Sequence, residues 1–208
     1  MALTAEKFSQ GMSTQEYIDQ IKVNKQPFLD IYQGVEIPAE TQRFFDSLSQ
    51  PLKLAVFTSD WCGDALSTTP TILRLADSSE KLELEVFNRD DELELTNSFL
   101  PEHRAGTVPV FIVFDQDMGE ITRFIETSRE LVPQIDTMDE RIAAEVAGEG
   151  DNARAAGRGK RTAFRVARAN EWGEVILREF TQLVSDGLAL PAAQRPTEGG
   201  TEWPPPQD

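Results

Sequence analysis

The chain has 208 residues, with 20 Lys+Arg against 36 Asp+Glu, one His and one Cys, and a formal net charge of −16 at pH 7. A single cysteine closes no internal disulfide, and one Cys with one His cannot furnish a four-ligand Cys/His zinc site. Strong acidity argues against binding to nucleic acid or an anionic membrane, both of which require a positive surface.

The first eight residues, Met1 to Phe8, lack the apolar run of a signal peptide. No stretch reaches the roughly 20 apolar residues of a spanning helix. The expected compartment is the cytosol, where a lone thiol stays reduced.

Taken in order, Ser13-Thr14-Gln15-Glu16 has capping-box spacing. Tyr17, Ile18, Ile21, Phe28 and Ile31 then predict a helix near 14–32, loosened at Pro27. A short helix is expected over 38–49. The period changes at Leu52–Thr58, an apolar run that suits a buried strand. A helix follows over 65–76, with Pro70 expected to kink it. Leu82–Phe87 reads as a strand, 91–100 as a helix, and Val110–Phe114 as a fully apolar strand. A turn over 115–120 leads to a return strand over 121–126. The order over 52–126 is β-α-β-α-β-β. Helices are expected over 134–147 and 160–185, the second stopped by Gly187. Residues 189–208 are rich in Pro, Gly and polar residues and read as a disordered tail.

The charge is unevenly placed. Residues 1–150 hold 12 basic and 28 acidic side chains, hence the whole −16, while residues 151–208 hold eight of each. Arg154, Arg158, Lys160, Arg161, Arg165 and Arg168 run with no acid between them. This run is either a solvated helix face paired with the acidic body or a docking patch for an acidic partner.

The chemistry centres on Ser59-Asp60-Trp61-Cys62-Gly63-Asp64-Ala65, between a strand and a helix. Cys62 stands at a helix N-terminus, where free N–H groups and the helix dipole favour the thiolate. Asp64 beside it opposes that charge. Asp60 and Asp64 read as solvated loop acids. His103 is either a base for Cys62 or a surface side chain. Arg89 and Arg104 read as partners of nearby acids.

Trp61-Cys62-Gly63-Asp64-Ala65, Pro70, and Thr107-Val108-Pro109 before a hydrophobic strand together resemble thioredoxin, most closely a bacterial thioredoxin-like family with a helical N-terminal extension. The resemblance implies an α/β thioredoxin-like fold over 50–130, a helical N-terminal extension over 1–49 and a helical C-terminal extension over 131–188. It also implies that Cys62 is the attacking cysteine. Trp61, Gly63, Val108 and Pro109 would border the substrate, with Val108–Pro109 cis. The sequence departs from that family at Ala65, where the second motif cysteine belongs, at Val56, where a buried Asp belongs, and at Asp64, where Pro is usual.

Without a second cysteine, Cys62 can attack a disulfide but cannot release the product from within the motif. An external thiol such as glutathione or another low-molecular-weight thiol must do so. The expected role is therefore monothiol exchange with a protein disulfide or mixed disulfide, with no resident cofactor or metal. Exchange of this kind predicts a lowered Cys62 pKa, while the sequence leaves open whether the helix N-terminus or Asp64 prevails. Two readings stand beside exchange: a redox-inactive binding or adaptor module on the same scaffold, and a single-cysteine redox sensor.

Overall fold

The computed structural model describes residues 3–202. Helices α1 (Ala5–Phe8), α2 (Thr14–Gln20), α3 (Lys25–Gly34) and α4 (Ala39–Asp46) precede strand β1 (Leu52–Thr58). Then come α5 (Gly63–Ala76), β2 (Leu82–Asn88), α6 (Leu93–Asn97), β3 (Val110–Phe114) and β4 (Glu120–Ile125). The chain closes with α7 (Val132–Val146), α8 (Ala153–Ala167), α9 (Ala169–Ala189) and a fifth strand, β5 (Thr197–Gly200). The expected β-α-β-α-β-β order over 52–126 is present, and this is a thioredoxin-like fold carrying helical extensions.

The sheet order is β2-β1-β3-β4-β5. β1 pairs parallel with β2 and antiparallel with β3, β3 pairs antiparallel with β4, and β4 pairs parallel with β5. Alternate strand residues point to opposite faces, and both faces are covered. Leu54, Val56, Phe111 and Val113 pack with α5, α9 and Phe45 on one side. Ala55, Phe57, Val110, Ile112 and Phe114 pack with Leu3, Phe8, Leu95 and Phe99 on the other. Two-sided burial explains why β1 and β3 are continuous apolar runs. The C-terminal helices pack on this same domain: Trp172 and Phe180 are buried, and the Phe180 ring lies 6.3 Å from Phe45 and 5.9 Å from Phe124. Among the described residues no helix is long and apolar enough to cross a membrane.

Four expectations are corrected. The helix expected over 14–32 is two helices, α2 and α3, because Asp60 draws the intervening backbone away. The Lys22 and Val23 N–H groups donate to its carboxylate at 2.8 and 3.0 Å, and Asn24 takes a left-handed φ of 62°. The helix expected over 160–185 is also two, with Arg168 between them at φ −106°, ψ 10°.

Gly187 does not stop α9 but lies within it. A Cβ there would stand 2.6 Å from the Ile121 carbonyl oxygen, so the glycine lets the helix backbone settle against β4. The tail expected to be disordered from residue 189 instead forms β5 on the otherwise open edge of β4. Composition did not reveal this, because the pairing is made by backbone groups. Arg104 then pins Thr201 by donating to its carbonyl, and both side chains reach Glu126. Residues 203–208 of that expected tail lie outside the described residues.

Gly187→Ala should lower stability by about 1–3 kcal/mol through overpacking against β4. Gly148→Ala, where a Cβ meets nothing within 4 Å, should change it by less than about 0.5 kcal/mol. Urea denaturation of both variants checks the contrast, and equal midpoints would contradict the close approach.

Candidate functional site

β1 ends at Thr58, and the chain turns through Ser59-Asp60-Trp61 into α5, with Cys62 as the N-cap in an extended conformation, φ −81° and ψ 135°. The Cys62 carbonyl accepts the Leu66 N–H at 3.1 Å, so the helix starts immediately after the thiol. Across from it, Val108–Pro109 is cis, and the Cys62 thiol donates to the Val108 carbonyl at 3.4 Å. The structure thus brings Cys62 and the Val-Pro segment together, although 46 residues separate them.

The neighbours of Cys62 divide between the two extensions. Asp60 is a clasp rather than a solvated acid: besides the bonds to Lys22 and Val23, its carbonyl accepts from Asn24 Nδ2 at 3.0 Å. Asp64 is likewise engaged. Its carboxylate lies 3.2 Å from Arg165 of α8, which also donates to Ser67 at 2.9 Å and lies 5.6 Å from the centre of the Trp172 ring. Arg165 is 6% exposed. A Cβ on Gly63 would come within 3.3 Å of its guanidinium, so the glycine makes room for it. Trp61 is 53% exposed, yet held in place. Its indole N–H donates to Asp90 at 2.8 Å, and Arg89 stands 5.3 Å from its ring centre.

Ala65 is buried, and Val56 is buried within the sheet, so neither a second thiol nor a carboxylate lies in the positions that a dithiol cycle would use. His103 is exposed on a short 3-10 turn (Glu102–Arg104) and makes no hydrogen bond to Cys62. Arg104 pairs with Glu126 at 2.8 Å and Arg89 with Asp90 at 3.4 Å, as partners of nearby acids.

The electrostatics run against the lowered Cys62 pKa that the exchange reading predicts. Burial pushes the thiol up, and the Asp64 charge adds to that. The Ala65 and Asp64 N–H groups and Arg165 pull it down, and burial wins. Beneath the motif, Tyr17 is buried and its phenol is also raised, first by desolvation.

Arg165 is the functional-site residue that sequence reasoning missed. The arginine run was visible, but its packing against a motif 101 residues away was not. Arg154, Arg158, Arg161 and Arg165 border a groove of about 320 Å³ that Trp61 and Gly63 complete.

Comparison with known proteins agrees with the fold. A family model described as thioredoxin matches residues 11–139, more than half of the chain. No curated protein matches. Two solved structures share the fold. A protein of unknown function from Pseudomonas aeruginosa aligns with a TM-score of 0.57 at 16% identity, covering 80% of this chain and 99% of its own. An HIV epitope-scaffold aligns with a TM-score of 0.51 at 15% identity, covering 85% and 97%.

Carbamidomethylation of Cys62 with iodoacetamide should rise through a midpoint above that of a free cysteine peptide. Asp64→Asn should bring the midpoint down, because it removes the opposing charge and leaves Arg165 unneutralised. A wild-type midpoint at or below that of the peptide would contradict the dominance of burial.

Proposed function

This chain belongs to the thioredoxin family, and we propose that it performs monothiol thiol–disulfide exchange through Cys62. The observation that carries the reading is the pairing of the Cys62 thiol with the Val108 carbonyl at the cis peptide, with Ala65 in the position of a resolving thiol.

In the first step the Cys62 thiolate attacks one sulfur of a substrate disulfide. A new S–S bond joins Cys62 to that sulfur, the old S–S bond breaks, and the other sulfur leaves as a thiolate that takes up a proton. In the second step an external low-molecular-weight thiolate, of the glutathione class, attacks the mixed disulfide. Cys62 leaves as thiolate, and the substrate sulfur departs joined to the small thiol. Redox state is conserved across both steps, and no resident cofactor is required. The Val108–Pro109 segment, with Trp61 and Gly63 on the other side, would border the substrate.

A raised thiol pKa makes the thiolate scarce at neutral pH but intrinsically more nucleophilic once formed. The activity is accordingly expected to be slow near neutrality and to accelerate in alkali. The raised pKa also favours a second reading, a binding module that keeps the groove without turnover.

The two readings separate on incubation with a peptide disulfide. Exchange predicts a Cys62–peptide adduct by mass spectrometry that accumulates without added thiol, disappears on addition of glutathione and is absent in Cys62→Ser. Failure of the adduct to form even in alkali would leave the binding module.

A further inference from the structure

The arginines of α8 exceed what the fold and the thiol use. Arg154, Arg158, Arg161 and Arg165 are spaced by four, three and four residues, so they share one helix face. That face borders the motif through the groove completed by Trp61 and Gly63. Two of the four are neutralised: Arg165 by Asp64, and Arg161 by Asp139 at 2.5 Å. Arg154 and Arg158 are exposed and have neither an ion pair nor a hydrogen bond among the described residues, in a chain carrying 36 acids. A protein with so many carboxylates has left two cations unpaired in a groove beside its only thiol.

From this juxtaposition we infer that the partner of Cys62 is a protein whose reacting cysteine is flanked by an acidic, extended segment, and that this segment lies along α8 with its carboxylates on Arg154 and Arg158. The inference deepens the exchange reading and rests on it for the identity of the reacting sulfur.

The distance from the thiol to the free arginines selects a polypeptide over a compact thiol. Arg165 marks the motif end of this face; with about 1.5 Å of rise per residue, the unpaired Arg158 and Arg154 lie about 10 and 16 Å beyond it along the helix. A strand of about five residues, at about 3.3 Å each, spans the longer distance. Charge gives direction as well. Residues 1–150 carry the whole −16, so an acidic segment is repelled by the body and drawn to α8. Exposed Trp61, at the rim, offers an apolar ring to the residue next to the sulfur.

The test uses fluorescein-labelled octapeptides in which Ser replaces Cys and is flanked by either four Glu or four Gln. Anisotropy is read at low salt with the full chain and with its Arg154→Gln/Arg158→Gln variant. The Glu peptide should bind the wild type about tenfold more tightly than the Gln peptide. The preference should shrink with added salt and vanish in the variant, whose thermal unfolding should stay unchanged because both side chains are exposed. Equal affinity for the two peptides, a preference that survives the double substitution, or glutathione displacing the Glu peptide in competition dependent on the same two arginines would each overturn the proposal. Because serine peptides cannot react, a failure of exchange at Cys62 would appear separately, as acidic-peptide binding without any adduct from the corresponding disulfide.

Discussion

The buried contact of Arg165 with Asp64, Ser67 and Trp172 determines how the rest of the site is arranged. A guanidinium taken out of water is costly unless its charge and donors are matched. Here the charge meets Asp64, one donor meets Ser67, and the flat face meets an indole. Trp172 is held in turn by Gln134 of α7 at 3.0 Å and by the Phe164 ring at 5.8 Å. One side chain therefore ties the start of α5 to α7, α8 and α9. On the opposite flank, Asp60 ties the same loop to the N-terminal helices. The two acids that bracket Trp61-Cys62-Gly63 act as the attachment points of the two extensions.

Burial raises the Cys62 pKa more than the N–H groups at the start of α5 and Arg165 lower it. The thiol is thus restrained, while the C-terminal extension places a basic face next to it. A thiol that ionises reluctantly and stands beside unpaired arginines gains selectivity from what docks rather than from its own reactivity. Exchange and binding then share one surface and differ in whether the sulfur bond forms.

The fold was legible where the pattern is local. The apolar runs Leu52–Thr58 and Val110–Phe114, the alternation over Leu82–Phe87 and the capping box at Ser13 all report elements set by their own residues. The cis Val108–Pro109 bond came from the family resemblance, since X-Pro statistics alone favour trans. What sequence reading missed was set at long range. The break after Ile21 exists because Asp60 takes the next two N–H groups, and β5 exists because β4 leaves an edge to pair. In the site, Cys62 and its neighbours were identifiable, but the sign of the thiol shift was not. It depends on how far the thiol is buried and on Arg165, which reaches Asp64 only in the folded chain.

The coupling between Arg165 and Asp64 is the most direct test of this account. A double-mutant cycle of Asp64→Asn and Arg165→Gln, measured by urea denaturation, should give a favourable interaction energy of about 1–2 kcal/mol. The double variant would then be more stable than the two single losses imply. Strictly additive losses would contradict it, because Arg165 would then be packing beside the motif without holding it.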